Sequence, residues 1–391
     1  MDTRRAYPLL LILLTLSLTV VGGCHRTDPE EETEEIGMDL LISAENNVEE
    51  ELATMLSYVK DAPIRAALSD YVTPIFSPIV HDVDLSFYDQ RKGGLRTCRL
   101  TGVMDAQEKV FSVRLAASDY RHGSGANLTP NTTLRIPDAE NEADLVILQA
   151  DGTSKSHRAG VFSTRKRIGV REGQSQHITT TLCMNNAVAA LIINRDSCEV
   201  TGISATFEGM ADTFRILDSI YLYDRKTLIK ADVVDVTPYM QGSDTDMTLD
   251  AESWGYDVSW TKWTKTPLLL CCTSFPSRIV GTDVIGSNVV IWTINLFVQL
   301  ADGTTTRNDI YIGQPVQAGH LKIIKGWLLA DGSFKATPPL PPIPHGGGGG
   351  AGTTPPTPPD PNDTTAVVGV SVQLNWNNGL SFDPEFQPFK P

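Results

Sequence analysis

The sequence predicts an all-β protein: two antiparallel β-sandwiches in tandem, with a short helical insertion near the N-terminus. Three observations predict it. From Val80 onward, apolar residues recur with a period of two in short segments. Turn signals such as Lys92-Gly93-Gly94, Gly123-Ser124-Gly125 and Asp151-Gly152 separate those segments, with no helix-period stretch between them. That favours antiparallel sheets over a parallel sheet with crossover helices. The same grammar then restarts near Gln174.

The N-terminus comes first. Arg4 and Arg5 precede a nearly unbroken apolar run, Leu9 to Val21, which is short for a spanning helix and has the form of an export signal. The run closes on Val21-Gly22-Gly23-Cys24, which resembles the lipobox of bacterial lipoproteins. The resemblance implies a signal peptide over 1–23 and acyl chains, palmitate among them, on Cys24. Several chains on one residue anchor a protein stably where one chain does not. Residues 24–36 then read as an acidic spacer, since His25 to Glu35 offers almost nothing to bury. An acidic stretch directly after the lipid cysteine also resembles the surface-export signal of Bacteroidota lipoproteins, which implies a lipid-anchored outer-membrane protein facing the cell exterior.

Residues 37–173 read as the first sandwich and its insertion. Met38 to Ser43 is a candidate strand. Val48, Leu52, Met55, Leu56 and Val59 fall at helical spacing, with Asn47 placed to cap them. Pro63 ends or restarts that helix, and Ile64, Leu68 and Tyr71 predict a second short one. Val83, Leu85 and Phe87 then alternate with Asp82, Asp84 and Ser86. Val110–Leu115, Thr133–Ile136 and Leu145–Leu148 are further strands.

Residues 174–336 read as the second sandwich. It opens on the long apolar run Ile178 to Ile193. Thr201–Phe207, Ile220–Tyr223 and Val289–Leu300 follow, and Asp302-Gly303 turns the chain into Ile310–Ile312. His320–Ile324 returns, and Asp331-Gly332 closes another turn. Residues 337–365 form a Pro/Gly-rich linker with five consecutive glycines, Gly346 to Gly350, a composition that cannot build a core. Residues 366–391 hold a terminal strand: Val368, Val370, Val372, Leu374 and Trp376 share one face. A lone amphipathic strand must add to a sheet edge. It either completes its own domain or is donated to a partner subunit, since strand addition combines main-chain affinity with side-chain specificity.

Little in the chain carries catalytic chemistry. There is no Gly-x-Ser-x-Gly elbow and no phosphate-cradling glycine loop before a helix, so we expect neither an enzyme nor a cofactor. His81-Asp82-Val83-Asp84 and Asp244-Thr245-Asp246 have oxygen ligands for calcium but lack the rest of a site, so no metal is expected. A net charge of −15 argues against nucleic acid. After Cys24 come Cys98, Cys183, Cys198, Cys271 and Cys272, an odd number without a CxxC pair. Buried free thiols are the favoured reading, with a Cys183–Cys198 bridge as the alternative. Adjacent Cys271 and Cys272 face opposite sides of a strand. The basic run Lys155, His157, Arg158, Arg165, Lys166, Arg167 and Arg171 reads as a solvated hairpin, or else as a proteolysis-prone loop at Thr164-Arg165-Lys166-Arg167 or a docking patch for an acidic partner. Trp254, Tyr256, Trp260 and Trp263 form a close aromatic group, either core or a platform for a glycan or host ligand.

Taken together, these residues are similar to the fimbrillin superfamily, the anchor and accessory lipoproteins of Bacteroidota type V pili. The likeness rests on the lipobox at Cys24, on Asp82–Asp89, on Leu134-Arg135-Ile136-Pro137 with Ala143–Ile147, and on Ile178–Ile193. It implies two transthyretin-like sandwiches, a non-catalytic role in adhesion and pilus assembly, and fimbrial subunits as strand-exchanging partners. The helical segment and the long linker depart from the plain pattern. The alternative is a glycan-binding surface lipoprotein of a nutrient-uptake system, using the tryptophan group.

Overall fold

A computed structural model describes residues 35–44, 52–53, 56–57, 59, 61–173, 176–195, 198–224, 226–240, 266–278, 290–336 and 370–372. The lipobox, the Asp244–Asp246 loop, the tryptophan group and most of the C-terminal region lie outside the described residues.

The first sheet takes β1 (Glu35–Ala44), β2 (Val80–Asp89), β3 (Leu95–Ala106), β4 (Glu108–Ala116), β5 (Asp119–Ala126), β9 (Phe162–Gly169) and β10 (Gln176–Met184). Its seven strands run in the order β3-β2-β5-β9-β10-β1-β4. A four-stranded sheet joins β6 (Leu134–Arg135) and β7 (Val146–Gln149) to β13 (Thr213–Arg215) and β14 (Ile220–Leu222). A five-stranded sheet holds β8 (Thr153–Lys155), β12 (Val200–Glu208), β15 (Leu228–Lys230), β18 (Trp292–Leu300) and β19 (Thr305–Ile312). A six-stranded sheet holds β11 (Ala187–Arg195), β16 (Asp232–Val234), β17 (Leu268–Ser274), β20 (Leu321–Leu328), β21 (Phe334–Lys335) and β22 (Val370–Val372). The all-β class with largely antiparallel sheets is as the sequence predicts. β1–β10, β11–β20 and β15–β8 are parallel pairs.

The insertion is helical. Leu52, Ala53, Leu56 and Ser57 are helical, with Leu52 and Leu56 buried. Helix α1 (Ala62–Val72) starts where Pro63 allows, and Asp61 caps it by accepting from the Ile64 N–H at 3.3 Å. Far from being an accessory, α1 buries Ile64, Ala67, Leu68 and Val72. They share one cluster with Leu40 of β1, Phe87 of β2, Val188 of β11, Cys271 of β17 and Ile323 of β20. The Tyr71 hydroxyl donates to Asp232 Oδ2 at 3.1 Å, fixing the helix to β16.

β10 and β11 follow one another with only Asn185 and Asn186 between them and belong to two different sheets. Leu182, Met184, Val188, Ala190 and Ile192 all face the cluster that holds α1. Ala187, Ala189, Leu191 and Ile193 face a second core with Phe207, Trp292 and Leu296. The Asn185 N–H donates to Val161 O on one flank, and Asn186 O accepts from Gly319 N–H on the other. Alternation therefore passes through the crossing without a flip. The boundary expected at 173/174 precedes a strand that hydrogen-bonds into the first sheet. The halves also share sheets: β7 pairs with β13, and β8 with β15. Strand pairs thus cross the expected boundary between 37–173 and 174–336.

Two further expectations are corrected. β1 begins at Glu35, inside the expected spacer. Gly123-Ser124-Gly125 is the middle of β5, not a turn. A Cβ on Gly123 would lie 2.4 Å from Leu145 Cδ2, and one on Gly125 2.6 Å from Ile136 Cδ1, so the glycines let the four-stranded sheet pack directly on the first. As the favoured reading has it, Cys183 and Cys198 are not joined in a disulfide. As expected, Cys271 and Cys272 face different cores.

Candidate functional site

The structure gives the acidic and basic candidates structural work. Asp82 accepts from the Leu128 and Thr129 N–H groups, each at 3.0 Å, and Asp84 is ion-paired with Arg99 at 2.6 Å. Their oxygens are taken by protein donors. Among the described residues no group of acidic, histidine or cysteine side chains is placed to hold a metal.

The basic run is not a hairpin either. His157 is buried, with Nε2 2.7 Å from Gln149 Oε1. Arg165 donates to Leu217 O at 2.7 Å, beside Arg121 at 2.9 Å, clamping one loop to the first sheet. Lys166 donates to Thr179 O, and Arg171 pairs with Asp119 at 2.6 Å.

The buried histidines are inert. His122 stacks on Phe87 with ring centroids 4.5 Å apart, and its Nδ1 lies 3.1 Å from Ser86 O. Burial pushes its pKa down to about 4, and that of His157 down to about 3. With no exposed surface, neither can meet a substrate.

What remains is a sheet edge. β20 pairs with β11 on one side over eight residues. Its other edge carries β21 at Trp327–Leu328 and β22 at Leu321–Ile323. β20 is buried along its whole length. Leu321 and Ile323 belong to the core of α1, and Ile324 and Leu328 to the core of Trp292. A strand added here therefore extends both cores at once. The register sets Val370 opposite Ile323 and Val372 opposite Leu321. Two of the five positions predicted for the terminal strand thus stand on an edge of this chain, while Val368, Leu374 and Trp376 lie outside the described residues. So do Cys24 and Trp254, Tyr256, Trp260 and Trp263.

Sequence reasoning left the edge for the terminal strand unnamed. The available signal was Leu321–Leu328 itself, which breaks alternation because both faces are covered. Gly326 marks the end of the open stretch: a Cβ there would lie 2.0 Å from Phe334 Cζ, so glycine admits the ring of β21. Lys322 sits opposite Ser371, only 2% exposed, with Nζ donating to Gln314 Oε1. Burial pushes its pKa down to about 8. Gln314 is held in turn by Trp292, whose Nε1 donates to its carbonyl at 2.8 Å.

No protein-family model and no curated protein matches the chain. Solved structures do. The fimbrial anchor protein Mfa2 of Porphyromonas gingivalis is 10% identical, with a TM-score of 0.41 over 74% of this chain and 90% of that one. The tip fimbrial protein Mfa3 of the same organism, with a C-terminal truncation, is 10% identical, with a TM-score of 0.37 over 76% and 96%. A fimbrial assembly protein of Parabacteroides distasonis is 9% identical, with a TM-score of 0.32 over 75% and 92%. Solved structures similar to this chain thus include fimbrial proteins of Bacteroidota. At these scores they carry no part of the argument that follows.

Proposed function

We propose that this chain is a lipid-anchored surface protein that serves as an anchor or accessory subunit of a fimbria. It is non-catalytic, and β-strand addition joins it to other subunits. The observation that carries the reading is the outer edge of β20. It takes a terminal strand delivered across a Pro/Gly-rich linker, through a three-residue ladder. A ladder that short contributes only about 1 kcal/mol per hydrogen bond. A long linker lets the same strand leave and reach another molecule. The vacated edge would then offer Leu321 and Ile323 on one face and Lys322 with Ile324 on the other, distinct sites for the alternate side chains of a strand donated by a partner. The lipobox supports the anchoring end of the reading, with Cys24 as the lipidated residue in the outer membrane, exposed at the cell surface.

The test is electron microscopy of surface fibres from cells carrying the full chain and cells carrying a stop before Ala366. Blotting confirms that the truncated form reaches the surface. Loss or shedding of fibres is the expected result. Unchanged fibres would overturn the reading.

A further inference from the structure

The succession of β10 and β11, joined through Asn185 and Asn186 alone, has a consequence for how the molecule carries load. β1 runs parallel to β10 over seven residue pairs, Met38↔Gln176 to Ala44↔Leu182. β20 runs parallel to β11 over eight, Val188↔Leu321 to Arg195↔Leu328. Asn185 bonds toward β9 and Asn186 toward the residues before β20, so β1 and β20 lie end to end on the same flank. Glu35 is therefore at one pole of this succession. The chain leaves β20 at the other pole and turns back into β21.

The geometry points to a tension member: we propose that the chain bears force along this axis, with β1 and β20 sheared against one shared spine. A pull on Glu35 against Ala336 is directed along the strands. Inter-strand hydrogen bonds lie across that direction, so each ladder must break together rather than one bond at a time. β1 is held a second time by nine residue pairs with β4.

The crossing point, where the ladders change over, is reinforced. Asn185 and Asn186 are 3% and 0% exposed. Asn186 accepts from the Val161 N–H and donates to Ala159 O, both at 3.1 Å. Asn185 Oδ1 accepts from Ser163 Oγ at 3.1 Å, and its carbonyl accepts from the Tyr221 hydroxyl at 2.9 Å. The inference rests on the proposed function only for what does the pulling; the mechanics belong to the isolated protein.

Single-molecule force spectroscopy on the purified chain without its signal tests it. One preparation carries handles at Glu35 and Ala336. A second carries them on Tyr311→Cys and Thr153→Cys, on the two edge strands of the five-stranded sheet and in one row of its register, so that force runs across the strands. Forced unfolding reports the unfolding barrier along each direction. The expected result is a rupture force several-fold higher along the axis. Asn186→Ala should lower the axial force and leave the transverse one unchanged. Where that variant fails to fold, Ser163→Ala serves the same comparison with a single bond removed. Equal forces in the two directions would overturn the proposal, as would an axial force that neither variant moves. Neither result depends on whether fibres survive the C-terminal truncation.

Discussion

The two faces of the β10–β11 spine solve the same packing problem with different materials. Toward Trp292 the core is almost wholly hydrocarbon: Ala187, Leu191, Ile193, Phe207, Leu270, Ile294 and Leu296 are each buried. Toward the first sheet, the interior also holds His122 and Ser124, and Thr164 bonded to Thr180 at 2.7 Å. His122 Nε2 and Ser124 Oγ have no hydrogen-bond partner among the described residues. Each such group costs about 1–3 kcal/mol. The polar face therefore contributes less per unit of buried area, and it leans on α1 and on the four-stranded sheet for support. The apolar face should hold most of the stability.

Truncating its largest side chain is the strongest way to break that contrast. Trp292 is 1% exposed, stacks on Phe207 at 5.7 Å and holds Gln314. Trp292→Ala should cost about 3–5 kcal/mol in urea unfolding. A loss under about 1 kcal/mol would show that the apolar core is not the main support.

The next effect is acid sensitivity, and it belongs to His122, stacked on Phe87 in the first sheet, and to His157 beside Phe275. His122 and His157 are held neutral, with pKa values down to about 4 and about 3. The unfolded chain takes up their protons near pH 6.5, and the folded one does not. As pH falls from about 6.5 toward 4, stability should therefore fall, by roughly 1.4 kcal/mol per unit for each histidine. At pH 7 and above the two groups contribute no slope. Unfolding midpoints measured from pH 7 to 4 should show the fall, and His157→Gln should flatten it. A parallel profile for that variant would remove His157 as a cause.

Gly123→Ala probes the seam between the first sheet and the four-stranded one. The new methyl would meet Leu145 Cδ2 at 2.4 Å and Leu217 Cδ2 at 2.8 Å. Overpacking of this kind costs about 1–3 kcal/mol. Hydrogen exchange should quicken in β7 and β13 while β18 keeps its protection. Uniform loss across all sheets would mean that the seam is not a local unit.

These contrasts also show what the sequence could and could not tell. Period-two alternation placed β2, β4, β12 and β18, because each has one face on a core and the other on water or a polar layer. It misread β5, where Gly123 and Gly125 are there for a close approach from residues about 90 positions later, such as Leu217. It also placed a boundary at 173/174 because the strand grammar restarts near Gln174. Only a hydrogen-bond register reveals that Gln176–Leu182 pairs with Met38–Ala44. Of the candidate site, Val370 and Val372 were legible from alternation alone. The edge that takes them was not, since a strand covered on both faces reads like any apolar run.

Lys322 is the exception that sharpens the comparison, a cation on the apolar side of the spine. Burial holds its pKa at about 8, below the ordinary lysine value of 10.5. Between those two values the unfolded chain keeps the proton that the folded chain sheds, so stability should rise with pH over that window. Below about 8 both states are charged and the full cost of burial is present. Lys322→Met removes the cost while keeping the length of the side chain, so it should stabilise the fold at pH 7 by about 1 kcal/mol. The rise between pH 8 and 10.5 should vanish with it. A buried cation at this position would then be retained for what the β20 edge does rather than for folding: an amine opposite Ser371 makes the edge a poorer home for hydrocarbon. Destabilisation of the fold by Lys322→Met would instead make the Gln314 contact a net support, and would place the polar cost of the molecule entirely on the first sheet.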